Sequence, residues 1–183
     1  MLFHKQKLII FLISLFLFAA CHGKKSSPIT EFLNNERAAV FVFLAPDCPL
    51  SQSYTLTLNS LYMRFQPSDV AFHGVFSGTS GDKRAVDDFV STYKIQFPVL
   101  LDPDLALADF FGATKTPEVF VVDPNQGIFY RGAIDNWAPE LGQHRAVVTE
   151  HYLQDSLDSF LQHRKMPVKQ TNAVGCFIER KRS

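Results

Sequence analysis

Apolar and polar residues are distributed along the chain in runs of strand and helix length. A continuous apolar run, AAVFVFLA, covers residues 38–45, and unbroken hydrophobicity of this length is typical of a central strand covered on both faces. Residues 70–76 predict a second strand, and 97–102 a short extended segment. A turn at 124–127 joins a third strand, 118–123, to a fourth at 128–132, which together predict a hairpin.

Helical periodicity separates these strands. Tyr54, Leu58, Leu61 and Phe65 recur at spacings of four, three and four, which is the apolar stripe of an amphipathic helix. Three further helices are predicted, at 82–93, 105–111 and 148–161. The order βαβα followed by β–β–α predicts an α/β three-layer fold, in which a parallel half and an antiparallel hairpin share one mixed central sheet.

Residues 1–20 have the character of a leader. A positive start is followed by an apolar run over 8–20 that only Ser14 interrupts, and this run is shorter than a membrane-spanning helix requires. Such a pattern is typical of a secretory signal peptide. The sequence FAAC at 18–21 resembles the lipobox of bacterial lipoproteins, which implies lipidation of Cys21; an uncleaved N-terminal anchor is the alternative. Either arrangement predicts a protein of the cell envelope that faces the periplasm or the exterior.

The leader and its surroundings define four parts of the chain. We predict a signal peptide at 1–20, a hydrophilic tether at 21–35, a globular domain at 36–165 and a polar C-terminal tail at 166–183 that carries Cys176. A membrane contact through the N-terminal lipid follows from this organisation.

Composition excludes several classes of protein. Among 183 residues 46% are hydrophobic, so the chain can bury a core and is not disordered. Eighteen basic and 18 acidic side chains balance, which argues against a nucleic-acid partner. The sequence contains no glycine-rich phosphate loop, so we predict no cofactor. Four histidines lack paired ligand spacing, and we expect neutral surface or cap roles rather than a metal site for His73, His144, His151 and His163.

Cys48 is the strongest candidate for chemistry. It lies between the buried run 38–45 and the helix that contains Tyr54, so its sulfur is predicted at a helix N-terminus, where unpaired N–H groups favour a thiolate. Pro49 suits the first helical turn. Asp47, if it lies close to the sulfur, would oppose ionisation. The alternative is a passive thiol.

The segment FLAPDCPLS at 43–51 resembles the active-site turn of thioredoxin-like proteins, in the redoxin branch with an alkyl-hydroperoxide-reductase or thiol-specific-antioxidant domain. TPEVF at 116–120 resembles the second landmark of these proteins. The resemblance implies a thioredoxin-like fold, a cis-proline at Pro117 opposite Cys48, and docking of substrate at Thr116 and Pro117. The segment 171–178 around Gly175 is similar to the tail of one subgroup.

Two positions differ from the pattern of the family. Ser51 stands where a second cysteine is usual; its hydroxyl can hydrogen-bond a thiolate but cannot close a disulfide. Ala45 stands where the peroxidases of the family have threonine, and we therefore expect no fast peroxidase activity.

Cys176 is the remaining candidate for the missing second sulfur. It can resolve a mixed disulfide on Cys48, hold the tail to the domain through a purely structural disulfide, or stay free. The sequence leaves these alternatives open. We expect a thiol–disulfide oxidoreductase that acts on protein thiols or disulfides, with Cys48 as nucleophile. The competing hypothesis is a binding module of the same fold that holds a partner protein or copper.

Overall fold

Seven strands and five helices make up the part of the chain that the structure describes. The computed structural model describes residues 29–33 and 36–180. The strands are β1 Ala38–Leu44, β2 Val70–Ser77, β3 Val99–Asp102, β4 Lys115–Thr116, β5 Glu118–Asp123, β6 Gly127–Gly132 and β7 Cys176–Phe177. The helices are α1 Pro49–Ser53, α2 Thr55–Phe65, α3 Lys83–Tyr93, α4 Ala106–Phe111 and α5 Tyr152–Leu161. Short 3₁₀ turns cover Thr30–Leu33, Gln66–Ser68 and Gly78–Gly81.

The pairing of the strands confirms the predicted mixed sheet. Five strands form the central sheet in the order β3-β2-β1-β5-β6, and β4 and β7 form a separate pair. Strand β1 runs parallel to β2 and antiparallel to β5, while β3 adds to β2 in parallel and β5 and β6 form the hairpin. All seven residues of β1 are buried. This burial follows from the unbroken apolar run, because a central strand that is covered on both faces has no solvent side.

Successive side chains of β1 enter two separate hydrophobic cores. Val40 and Val42 pack with apolar residues of α2, α3 and α5 on one face of the sheet. Phe41 and Phe43 pack on the other face, where α4 contributes Phe111. The rings of Phe43 and Phe111 meet edge to face with centroids 5.9 Å apart. The predicted three layers are therefore present.

The helix that follows Cys48 is interrupted, which the sequence did not indicate. α1 ends at Ser53, and α2 starts at Thr55 after Tyr54. The Tyr54 hydroxyl donates a hydrogen bond of 2.6 Å to the buried carboxylate of Asp135, which fixes the residue at the break to the loop after β6. The predicted apolar stripe is nevertheless correct, since Tyr54, Leu58, Leu61 and Phe65 all lie in one core.

The N-terminal part of the described chain packs more closely than a tether would. Ile29 is buried in the core beside α4, and Phe32 and Leu33 contact the same core. The proposed signal peptide at 1–20, Cys21 and the rest of the tether before Ile29 lie outside the described residues. Within 29–33 and 36–180, no helix has the length and hydrophobicity needed to cross a bilayer.

His73 differs from the expectation of a surface or cap role. It lies in β2 opposite Phe41 of β1, and its ring stacks on Phe41 at 5.2 Å and contacts Phe32 at 5.3 Å. Burial lowers the pKa of His73 below its ordinary value, although the backbone of Phe32 acts in the opposite direction. The reason is topological, because β2 lies inside the sheet and both of its faces are covered.

Candidate active site

Cys48 occupies the turn between β1 and α1. The turn is closed by a hydrogen bond of 3.2 Å from the Cys48 N–H to the carbonyl of Ala45, and Pro49 is the first residue of α1, as predicted. The side chain of Cys48 is 1% exposed. Since α1 is only five residues long, it adds little dipole at the sulfur, and the groups that favour ionisation of Cys48 are those that hydrogen-bond its sulfur.

The opposite side of the sulfur is formed by the segment that precedes β5. The Cys48 thiol donates a hydrogen bond of 3.0 Å to the carbonyl of Thr116, and the Thr116–Pro117 peptide bond is cis, which confirms that expectation. The hydroxyl of Thr116 is buried and has no hydrogen-bond partner among the described residues in this state. It is therefore available as a donor when Cys48 ionises.

The C-terminal tail lies directly over this site. We call residues 169–180 the strap. Its strand β7 pairs antiparallel with β4, so that Cys176 lies opposite Thr116, and the N–H of Ile178 donates to the carbonyl of Thr114 at 3.0 Å. The strap thus brings Cys176 beside Cys48, although the two residues are far apart in the sequence. Both cysteines are free thiols.

The first end of the strap is fastened to the end of β6. The hydroxyl oxygen of Thr171 accepts a hydrogen bond of 2.9 Å from the Ala133 N–H and lies 2.8 Å from the Tyr130 hydroxyl oxygen. The backbones of Gly132 and Thr171 lie so close together that position 132 requires glycine. The φ angle there is +133°, and a Cβ would lie 2.3 Å from the carbonyl oxygen of Thr171.

The second end of the strap is fastened to α4 and its surroundings. Ile178 is buried in the same core as Phe111. The Arg180 guanidinium forms an ion pair with Asp109 and donates a hydrogen bond of 2.9 Å to the carbonyl of Ala113. The Thr79 hydroxyl donates to the Glu179 carboxylate at 3.0 Å. Attachments at both ends therefore hold Cys176 over the site.

The middle of the strap makes its tightest contact at Gly175. A Cβ at this position would lie 2.0 Å from the carbonyl oxygen of Thr116, so any larger residue would push the strap away from β4. The carbonyl of Thr116 is thus contacted from one side by the Cys48 thiol and from the other by the backbone of Gly175.

The surroundings favour ionisation of Cys48 over ionisation of Cys176. Burial alone would raise the pKa of Cys48. Hydrogen bonds from the Cys176 thiol and from the N–H groups of Ser51 and Cys176, together with the Thr116 hydroxyl that can donate to the thiolate, outweigh burial and lower that pKa. Burial, together with the proximity of Cys48 and of the charge on Asp47, raises the pKa of Cys176 to about 11. The pair therefore ionises first at Cys48.

Two neighbours of Cys48 act differently from their predicted roles. The side chain of Ser51 is fully buried, but its hydroxyl oxygen accepts a hydrogen bond of 3.2 Å from the Ala45 N–H, and it is the backbone N–H of Ser51 that reaches Cys48. Asp47 is exposed, and its charge raises the pKa of Cys176 rather than that of Cys48. Ala45 is buried at the end of β1.

The described part of the chain contains no cluster of three or more histidine, cysteine or acidic side chains arranged to hold a metal ion. A copper site would need Cys48, Cys176 and a histidine to lie together, and no such cluster occurs among the described residues. His144 instead stacks on Trp137 with centroids 5.5 Å apart, and His151 stands at the N-cap position of α5.

The sheet order, the cysteine before α1 and the cis-proline before β5 define a thioredoxin-like redoxin. The profile of the AhpC/TSA family matches residues 18–131, more than half of the chain, and the chain belongs to this family. The match ends before the strap, so Cys176 lies outside the part that the family profile covers.

Solved structures of the same fold come from several bacteria. An uncharacterized conserved protein from Geobacillus kaustophilus is 25% identical with a TM-score of 0.71, over 81% of this chain and 79% of that one. The hypothetical protein SMc02350 of Sinorhizobium meliloti 1021 is 23% identical with a TM-score of 0.70, over 81% and 82%. The thioredoxin domain of a thiol-disulfide oxidoreductase from Bacteroides vulgatus shares the fold at 14% identity and a TM-score of 0.51, over 68% and 79%. Among curated proteins, none matches the sequence.

Proposed function

We propose that the protein is a thiol–disulfide oxidoreductase of the cell envelope whose redox centre is the pair Cys48 and Cys176. The observation that carries this proposal is the pairing of β7 with β4, which presents Cys176 opposite Thr116, the residue whose carbonyl accepts the Cys48 thiol. The strap supplies the second sulfur that Ser51 does not.

The catalytic cycle follows from the different acidities of the two thiols. The Cys48 thiolate attacks one sulfur of a substrate disulfide, forms a mixed disulfide and releases the other substrate sulfur as a thiolate. Cys176 then loses its proton to solvent and attacks the Cys48 sulfur. This second step releases the remaining substrate thiolate and leaves a Cys48–Cys176 disulfide. The substrate gains two electrons and the enzyme loses two.

The neighbours of Cys48 have separate parts in this cycle. The lowered pKa of Cys48 supplies thiolate near neutral pH, since the thiolate is the reacting form. The buried Thr116 hydroxyl, free in the dithiol state among the described residues, is the donor best suited to the charge that develops on the sulfur. Thr116 and Pro117 form the edge at which a disulfide-containing protein segment would dock.

The same proposal includes the location of the protein. Lipidation of Cys21 after removal of residues 1–20 would hold the domain at a membrane, on the side where disulfides persist. The thioredoxin domain of a thiol-disulfide oxidoreductase from Bacteroides vulgatus shares this fold, which fits a partner with thiols or disulfides.

The proposal is tested by the stoichiometry of glutathione release. The full chain with Cys21→Ser, which leaves only the two relevant thiols, is reduced, freed of reductant and mixed with glutathione disulfide. We expect two glutathione molecules released per protein and a Cys48–Cys176 disulfide in the peptide map. With Cys176→Ser, release should stop at one glutathione, and the other should be found on Cys48.

The decisive variant is Cys48→Ser, which should release glutathione at least 100-fold more slowly, because the thiol of Cys176 is protonated at neutral pH. Release at the wild-type rate in this variant would refute the proposal. Circular dichroism of each variant establishes that the fold is retained. Two free thiols that react no faster than a cysteine peptide would favour the binding module instead.

A further inference from the structure

The strap covers the edge of β4 that a docking segment needs. Thr116 pairs with Cys176, and the carbonyl of Thr114 accepts the N–H of Ile178. A second extended chain cannot form these hydrogen bonds while the strap is present, since one strand edge accepts one partner. Gly175 also fills the space in front of the Thr116 carbonyl.

The strap also blocks the sulfur itself. Cys48 is 1% exposed, whereas thiol–disulfide exchange needs the attacking sulfur to reach the disulfide in line with the bond that breaks. With the strap in place, the sulfur of a bulky substrate has no path to Cys48. The closed arrangement is therefore suited to the second step of the cycle but not to the first.

The contacts that hold the strap are unequal along its length. The end at Thr171 is attached through buried and half-buried groups of Tyr130 and Ala133. Towards the C-terminus, the β4–β7 ladder is only two residues long, and Arg180 and Asp109 pair at the surface with side chains 42% and 62% exposed. Ile178 adds a buried apolar contact at this end, but exposed pairs contribute little stability, so the rest of this end is held more weakly than the end at Thr171.

From these contacts we infer that the strap and the substrate compete for one strand edge. Residues 173–180 leave β4 in the dithiol state, with Thr171 as the fixed end, and return to expel the product when Cys176 attacks Cys48. The Cys48–Cys176 bond then ties the strap to the site and keeps the edge closed. This inference rests on the proposed function for its catalytic meaning, but the opening itself occurs without substrate.

The competition predicts opposite effects on the two steps of the cycle when the strap is loosened. Arg180→Ala removes the ion pair with Asp109 and the hydrogen bond to Ala113. The strap then spends more time away from β4, so Cys48 becomes more accessible, but Cys176 spends less time near the mixed disulfide. A general loss of stability would not accelerate one step and retard the other.

The test compares Arg180→Ala with Arg84→Ala, a control that also removes an exposed arginine but lies on α3. Both variants carry Cys21→Ser in the full chain. In the dithiol form without substrate, and at a pH above the pKa of Cys48 in both variants, iodoacetamide should alkylate Cys48 about three- to tenfold faster in Arg180→Ala than in the control, which matches the loss of roughly one hydrogen bond of ordinary net strength. Working at this pH removes any difference in the thiolate fraction of Cys48, which depends on contacts from Cys176. With glutathione disulfide, release of the second glutathione should become slower by a similar factor.

Equal alkylation rates of Cys48 in the two variants would overturn the inference, and so would acceleration of both glutathione steps. Hydrogen exchange at the Ile178 amide gives an independent measure. We expect faster exchange in the dithiol than in the disulfide form, and equal exchange would also count against opening. Failure of the proposed function has a different signature, because wild-type protein would then release no glutathione while Cys48 alkylation still responded to Arg180→Ala.

Discussion

The hydroxyl oxygen of Ser51 accepts a hydrogen bond of 3.2 Å from the backbone N–H of Ala45. Ala45 directly follows β1, and its N–H would otherwise be buried without a partner at the point where the sheet ends. The serine therefore fixes the turn that carries Cys48. Its role is structural, and in the proposed redox pair the second sulfur belongs to Cys176.

A cysteine at position 51 should redirect disulfide formation. In Ser51→Cys the new sulfur lies three residues after Cys48, and the backbone N–H of residue 51 already contacts the Cys48 sulfur. We expect the oxidised variant to join Cys48 to the new sulfur at position 51, with Cys176 left free for alkylation, as peptide mapping under non-reducing conditions would detect. Ser53→Cys is the control, because Ser53 is exposed and donates to the Pro49 carbonyl. A retained Cys48–Cys176 bond in Ser51→Cys would contradict the prediction.

The acidity of Cys48 should depend on the hydrogen-bonding group at position 176. The Cys176 thiol is the principal contact that lowers the pKa of Cys48 against the effect of burial. Cys176→Ala removes this donor, so the pKa of Cys48 should rise, whereas Cys176→Ser keeps a donor and should leave it closer to wild type. The pH dependence of thiolate absorbance in the ultraviolet measures the difference. The same titration midpoint in both variants would show that Cys176 does not stabilise the thiolate.

A methyl group at position 175 should separate the strap from β4. In Gly175→Ala the Cβ would lie 2.0 Å from the Thr116 carbonyl oxygen, which neither backbone can accommodate without moving. We expect at least a tenfold fall in the rate at which the Cys48–Cys176 disulfide forms on oxidation, and a lower melting temperature by thermal unfolding. Asn172→Ala, an exposed position in the same strap, should change neither quantity. Normal oxidation of Gly175→Ala would mean that the close contact is not required.

His73 should make the fold less stable in mild acid. Burial lowers the pKa of His73 in the folded state below its value of about 6.5 in the unfolded chain. The unfolded chain therefore binds more protons below that pH, and the stability contributed by the neutral ring, present at pH 7, is lost as pH falls through the folded pKa.

Denaturant unfolding between pH 7.5 and 5 measures this dependence. The slope of stability against pH should be smaller in His73→Phe, which retains the aromatic contacts with Phe32 and Phe41. His144→Phe is the control, because His144 is exposed and stacks on Trp137. An unchanged slope in His73→Phe would assign the acid sensitivity to other groups.

The strands of the central sheet could be predicted from the sequence because each strand is indicated by a local pattern of apolar residues. The apolar run 38–45 has the composition of a strand covered on both faces, and β1 is such a strand. The position of Cys48 between this strand and a helical stripe was sufficient to place it before α1. The surroundings of His73 could not be predicted in the same way, because the sequence indicated a strand at 70–76 but not that this strand lies inside the sheet.

The position of the strap could not be obtained in this way. Its contacts join Cys176 to Thr116 and Thr171 to Ala133, pairs that are distant in sequence and show no periodicity. The interruption of the helix at Tyr54 could not be predicted either, because Tyr54 hydrogen-bonds Asp135, which is distant in the sequence. Two glycines do mark the positions where the strap and the rest of the domain come closest, namely Gly132 and Gly175. A glycine in a sequence does not, however, reveal which segment packs against it.

The sequence separation of the two cysteines has a consequence for the unfolded chain. Positions 48 and 176 differ by 128, so a bond between their sulfurs closes most of the domain into one ring. Closing a ring of this size removes so much conformational entropy from the unfolded state that the folded state gains about 5 kcal/mol. Oxidation of the pair proposed here would therefore protect the whole domain against heat and proteolysis, and each reduction would withdraw that protection.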